Sequence, residues 1–245
     1  MKVTDGVAII ELPTNGMGLS KVIYPAIIWD DETVILVDAG YPGQLAQIEQ
    51  AVSEVGIALA KINKVIITHH DIDHMGSAVS IKEKLSERIE ILAHEVEVPY
   101  IQGEKLPLKL VQLEPGLEDL PAGMKDLYEK IKTGFQSYKV NVDRPLTDGE
   151  ELPYCGGITV IHTPGHTLGH ICLYLKRHKM LVAGDLLRVE DGLLVTAPEQ
   201  INFDQHMYLK SLAKLTGYDI QTVLCYHGGV YADKVNKRIE ELINK

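Results

Sequence analysis

Three histidines and two aspartates fall within the six residues His69-His70-Asp71-Ile72-Asp73-His74. Imidazole nitrogens and carboxylate oxygens are donors that divalent cations prefer. A hydrophobic core tolerates them poorly, because every buried polar group needs a partner. The β-branched run Val65-Ile66-Ile67 just before them reads as a buried strand, and a helix-like segment follows Gly76. The donors therefore sit where a strand empties into a loop. The second half of the chain repeats this arrangement. His162-Thr163-Pro164-Gly165-His166-Thr167-Leu168-Gly169-His170 follows the apolar run 158–161, Gly184-Asp185 follows 180–183, and His227-Gly228-Gly229 follows 222–226. Each has glycine beside it, which lets backbone approach a ligand closely. Loops at one edge of packed sheets would bring together His69, Asp71, Asp73, His74, His166, Asp185 and His227. That set could hold two divalent cations, with one aspartate shared and an open position for water, as catalysis requires.

The elements that must position these donors follow from patterning. Strands are expected at residues 7–12, 22–29 and 33–38, with the turn residues Pro13-Thr14-Asn15-Gly16 between the first two and Asp38-Ala39-Gly40 closing the third. Leu45, Ile48, Val52 and Val55 recur at helical spacing, with Gly56 as a stop. Strand 64–68, a helix over 78–85 and a strand over 89–93 come next. From about 94 to 144 prolines punctuate the chain around one expected helix, 124–138, which reads as an insertion near the site. Strands resume at 158–162, 171–175 and 180–183, followed by a hairpin at Asp191-Gly192. A helix over 204–216, a strand over 222–226 and a helix over 231–243 complete the chain. Two halves, each mostly β and then α, predict two packed sheets with helices outside, within one domain spanning 1–245.

Composition narrows the function. The formal charge of −10 opposes nucleic-acid binding through a broadly basic surface. Cys155, Cys172 and Cys225 show no CxxC spacing, which fits a reducing cytoplasm. The N-terminal residues carry no long apolar run, and no segment approaches membrane-spanning length, so a cytoplasmic protein without membrane contact is expected. A homodimer is left open.

Taken singly, any of these histidines would more often be a hydrogen-bonded core or surface residue than a ligand. Taken in order, Thr68–His74, Thr163–Thr167 with Gly169-His170, Gly184-Asp185 and His227-Gly228 resemble the metallo-β-lactamase superfamily, whose motif is Thr-His-x-His-x-Asp-His. Asp38-Ala39-Gly40 resembles that family's early strand-end motif. The resemblance implies an α+β fold, a four-layer αββα sandwich of two mixed β-sheets with a dinuclear site at one edge. It implies a first metal on His69, Asp71 and His166, a second on Asp73, His74 and His227, and Asp185 bridging. Zinc is the family's expectation. Asp71 departs from the motif, which has histidine there, and a hard anionic oxygen shifts preference toward manganese or iron. Flavodiiron proteins are similar in this respect. The adjacent His70 is the alternative ligand, although the neighbouring position on an extended loop normally points the other way. His170 is expected to brace a loop, Cys225 to be a buried hydrophobe, and His94, His162, His178 and His206 have no assigned role.

The function implied is hydrolysis of a small ester, lactone, thioester or amide by a hydroxide held between the cations, with Asp73 orienting it and passing a proton to the leaving group. Glyoxalase II members carry a helical C-terminal domain, whereas eighteen residues follow His227 here, which disfavours that substrate. Homoserine-lactonase members place tyrosine where this chain has Arg188, which reads equally as an exposed hairpin charge or as a contact for an anionic substrate. The alternative class is an iron-dependent oxidoreductase, flavodiiron-like or persulfide dioxygenase-like.

Overall fold

Alternation along the strands decides how the layers stack. In Lys64–Ile67, Val65 and Ile67 pack on one side of the sheet and Ile66 on the other, all fully buried. A strand apolar on both faces must be covered on both. The computed structural model describes residues 1–14, 21–119 and 121–244. Asn15 and Gly16 of the expected first turn lie outside the described residues.

The N-terminal sheet runs, in spatial order, Lys2–Thr4, Val7–Ile9, Ala26–Trp29, Val34–Val37, Lys64–Ile67, Glu90–His94 and Arg144–Leu146. Its first members pair antiparallel and its last four parallel. The C-terminal sheet runs Glu151–Leu152, Ile158–His162, Ile171–Leu175, Met180–Val182, Thr222–Cys225 and Gly229–Tyr231, with Met180–Val182 and Thr222–Cys225 parallel. Ile9, Ile28, Ile35, Val37 and Ile66 of the first sheet meet Ile158, Val160, Leu173 and Leu224 of the second in the central core. The outer face of the first sheet packs against helices Leu45–Glu54 and Ala78–Leu85 through Ile48, Val52 and Ile81. The outer face of the second packs against Gln205–Lys214 and Val235–Ile243 through Tyr208, Leu212 and Ile239. This is the expected four-layer αββα sandwich of two mixed sheets.

Two joints close the sandwich at the edge where the donors lie. The Ile171 N–H donates to the Thr68 carbonyl at 3.1 Å, and the Tyr24 N–H to the Tyr226 carbonyl at 2.9 Å. Each ties a strand end of one sheet to the other, so the loops that follow cannot drift apart freely.

Four elements differ from expectation, the first being the strand over 7–12, which is two pieces, Val7–Ile9 and Leu12–Pro13. The strand over 22–29 is two pieces, Val22–Ile23 and Ala26–Trp29, because Pro25 has no N–H to continue a ladder. Tyr231 closes the strand Gly229–Tyr231, paired with Thr222–Cys225, and the last helix begins only at Val235. Between 94 and 144 there are helices at Val98–Ile101 and Leu108–Leu113 besides Ala122–Ser137. Pro99, Pro107 and Pro121, which read as breaks, stand at the starts of these helices, where a missing N–H costs nothing.

Candidate metal centre

The support of the site begins with Asp38. It ends Val34–Val37 in a left-handed conformation, φ 65°, and turns its carboxylate across to the next strand end. There Oδ1 accepts from the Thr68 N–H at 2.8 Å, and Oδ2 accepts from His74 Nδ1 at 2.9 Å. The Thr68 hydroxyl donates to Asp38 and accepts from His69 Nδ1 at 3.0 Å. With Nδ1 carrying the proton in both rings, His69 and His74 present the Nε2 lone pair to the same space. The short helix Ile72–Met75 then sets Asp73 beside His74, while Asp71 precedes it in extended backbone.

The second-half donors are built the same way. His166 Nδ1 donates to Asn202 Oδ1 at 3.1 Å, and Asn202 is oriented by donating from Nδ2 to Gln205 at 2.8 Å. The Asp185 N–H donates to His170 Nε2 at 3.0 Å, and His170 Nδ1 meets the Thr163 hydroxyl at 2.8 Å. His170 is therefore a brace, as expected, and burial followed by the nearby His166 pushes its pKa down to about 3. Gly184 has φ 50°, and a Cβ there would lie 2.5 Å from His170 Nε2. Gly228, at φ 95°, lies against the Val189 carbonyl, so no side chain fits between His227 and the hairpin. Tyr226 passes beneath the site, its ring 3.9 Å from that of His74 and its hydroxyl donating to the Asp73 carbonyl.

All seven expected donors converge. His166 Nε2 lies 3.1 Å from Asp71 Oδ2 and 3.4 Å from Asp185 Oδ2. His69 Nε2 lies 3.7 Å from Asp71 Oδ2. On the other side His74 Nε2 is 3.2 Å from Asp185 Oδ1 and 3.7 Å from Asp73 Oδ2, and His227 Nε2 is 3.3 and 3.5 Å from the same two oxygens. A tetrahedral cation with ligands at about 2.1 Å separates them by about 3.4 Å. The donors fall into overlapping sets, His69/Asp71/His166, His69/His74/Asp185 and Asp73/His74/His227, each able to hold an ion. Asp185 turns one oxygen toward each side.

The chemistry of the cluster also fits a cation. Among the described residues, His69 Nε2, His74 Nε2 and Asp185 Oδ1 are buried with no hydrogen-bond partner. Leaving such atoms unmet costs about 1–3 kcal/mol each, and all three face the same space, which a divalent ion would satisfy at once. Burial drives the His69 pKa well below its ordinary value, with the neighbouring His74 adding to the effect. Burial also opposes charge on His74, but Asp185, Asp38 and Asp73 together raise it well above the ordinary value. Asp71 feels the penalty of burial too, yet Lys109, His166 and His69 hold its carboxyl well below the usual range.

His70 turns away from the cluster. Its Nδ1 donates to buried Glu97, its backbone N–H donates to the same carboxylate oxygen at 2.9 Å, and its ring stacks on Tyr100 at 4.7 Å. Glu97 also accepts from the Thr167 hydroxyl and the Gly169 N–H, each at 2.7 Å, which ties the two donor loops together. Asp71, not His70, faces His69 and His166. Other expected features land elsewhere. His94 and His162 stack on each other at 4.0 Å, and Cys225 is a buried free cysteine. Arg188 is not an exposed hairpin charge: its side chain is mostly buried, with Nε 3.0 Å from Glu190.

Sequence reasoning did not single out Asn202, Glu97 or Lys109. Lys109 is the most consequential. It projects from Leu108–Leu113, and its Nζ donates to Asp71 Oδ2 at 2.7 Å and to His166 Nε2 at 3.0 Å. Beside it is a cavity of about 10 Å³, lined by His70, Tyr100, Leu108, Lys109, His166 and Phe203, with room for about one water. No described helix is long and apolar enough to cross a membrane.

Comparison with known proteins gives the same frame. Residues 23–227 match the sequence profile of the metallo-beta-lactamase superfamily. The chain is similar to a probable metallo-hydrolase, YflN, of Bacillus subtilis (strain 168), 25% identical over 86% of this chain and 81% of that one. It also resembles the hydroxyacylglutathione hydrolase GloC of Haemophilus influenzae, 27% identical over 66% of this chain and 65% of that protein. Among solved structures, a metallo-beta-lactamase family protein of Thermus thermophilus superposes with a TM-score of 0.73 at 24% identity, covering 99% of this chain and 79% of that one.

Proposed function

The chain belongs to the metallo-beta-lactamase superfamily, and from that membership and its donor geometry we propose a dinuclear metallo-hydrolase acting on a small ester, lactone, thioester or amide. The observation that carries this reading is Asp185, which faces His166 through Oδ2 and both His74 and His227 through Oδ1. A carboxylate spanning two donor sets is what a two-cation centre requires. Relatives named hydroxyacylglutathione hydrolase keep a thioester in the substrate set.

Cations held there supply Lewis acidity and make water nucleophilic at neutral pH. The remaining work falls to side chains of this chain. Asp73 Oδ2, partly open to solvent and 3.5 Å from His227, is placed to orient the attacking water and to hold a proton for the leaving group. The Tyr226 hydroxyl fixes the Asp73 backbone, and Asp38 fixes the ring of His74. The helices between 94 and 144 form an insertion over the Asp71 side of the centre, delivering Lys109 and Tyr100 to its rim and restricting what can enter.

The test is a panel of lactones, thioesters, esters and amides with protein of known metal content. Hydrolysis should be abolished by chelation and restored by metal, and Asp73→Asn should lower kcat by about 10²–10⁴-fold. Inactivity across the panel at full metal occupancy would refute the reading. Asp71 supports a second one, an iron-dependent oxidoreductase, since a carboxylate replaces an imidazole at that position. Stoichiometric iron with oxygen consumption after anaerobic purification would establish it, and a redox-inert metal with hydrolytic turnover would exclude it.

A further inference from the structure

We propose that Lys109 sets the substrate class: its ammonium receives a carboxylate that the substrate carries a few bonds from the carbonyl under attack. The proposal rests on the two-cation hydrolase reading above and deepens it.

The argument starts from the donors of an ammonium, which has three N–H groups. Among the described residues, Lys109 Nζ has two acceptors, Asp71 Oδ2 at 2.7 Å and His166 Nε2 at 3.0 Å. One N–H is therefore left for a further acceptor. A second is released when His166 is a ligand, because its Nδ1 already donates to Asn202 and the Nε2 lone pair is the one that ligation uses. Asp71 still holds the ammonium at the rim by a charge-assisted bond. The Lys109 side chain is 28% exposed, so a ligand can reach it from solvent.

The surroundings favour an anion. Lys109 lines its cavity of about 10 Å³ with Tyr100, Leu108, Leu168 and Phe203, and none of the described lining residues is an acid. That space takes about one water, so a substrate meets the ammonium at its exposed side, with apolar walls beside the charge. Such walls strengthen an ion pair relative to open water. Among the described residues, Lys109 is also the one lysine or arginine ion-paired to Asp71, Asp73 or Asp185, and Arg188 is turned to Glu190. Beside bound cations the ammonium is under like-charge repulsion, which a substrate anion relieves and a neutral substrate does not. Because Nζ stands 3.0 Å from a donor atom of the centre, an anion held there lies close to the bond being cleaved.

Zinc-loaded full-length protein, its metal content fixed by elemental analysis, is titrated calorimetrically with two hydroxamates. Succinate monohydroxamate and butyrohydroxamate share a metal-chelating head, and the first ends in a carboxylate where the second ends in a methyl. The wild-type protein should bind the carboxylate ligand at least about tenfold more tightly, the worth of one charge-assisted hydrogen bond. Lys109→Met should erase that preference, while Lys109→Arg should keep most of it. The preference is a ratio within one protein, so a change in metal loading or fold weakens both ligands and leaves the ratio intact. Equal affinities in the wild type, no binding of the carboxylate ligand, or a preference that survives Lys109→Met would overturn the proposal and leave the two-cation reading standing. A wild-type chain that holds at most one zinc ion at saturation would overturn the two-cation reading and the proposal with it.

Discussion

The two halves of the donor cluster share Asp185 and differ in almost everything around it. The Asp73/His74/His227 side is anchored from below: Asp38 fixes His74, and Tyr226 underlies its ring and holds the Asp73 backbone. On the Asp71/His166 side, Asn202 orients the ring of His166 through Nδ1, and Asp71 is held by Lys109 from a separate helix. One side thus rests on strand ends locked into the sandwich. The other depends on a segment whose helices lie outside both sheets. The sandwich positions the donors, and the segment from 94 to 144 sets Lys109 against one of the two donor sets.

The largest effect should come from breaking the shared element. Asp185→Ala should reduce metal content from two ions per chain to one or none and lower turnover by about 10³-fold or more, read by elemental analysis and steady-state kinetics. Next are the supports, of which one should separate the halves. Asn202→Ala should weaken the His69/Asp71/His166 class by about 10–100-fold and spare the other, whereas Asp38→Asn should weaken both, since Asp38 holds His74 directly and His69 through Thr68. Calorimetry that showed both classes falling together in Asn202→Ala would erase the distinction between them. The third prediction concerns pH. Burial opposes charge on His74, but Asp185, Asp38 and Asp73 raise its pKa, so a proton competes with the cation for its Nε2 lone pair. Binding to that half should release a proton and weaken as pH falls, measured by titration in buffers of different ionisation enthalpy. Asp71→His should move preference toward zinc over manganese without changing the fold. The smallest effect on metal should come from Glu97→Gln. It should cost about 1–3 kcal/mol in denaturant unfolding, because a buried acceptor of several bonds is altered, while leaving stoichiometry intact.

The donors were legible in the sequence because they follow the ends of apolar strands, with glycine adjoining His166, Asp185 and His227 in the second half. The same logic separated Asp71 from His70, since neighbouring residues on extended backbone point opposite ways. The layers were legible for a related reason, as strands apolar on both faces need cover on both. Asn202, Glu97 and Lys109 were not. They meet their partners across separations of 36, 27 and 38 residues, and their neighbours in sequence show no periodicity that marks them. What brings them in is the path of loops and short helices. The prolines that start those helices look the same in sequence as prolines that end them.

The most direct test of a two-cation hydrolase is turnover of the best panel substrate as metal is titrated into metal-free protein. The account predicts no turnover without metal and a rate that climbs until two equivalents are bound. Full turnover in the metal-free protein, or none with two equivalents in place, would contradict it.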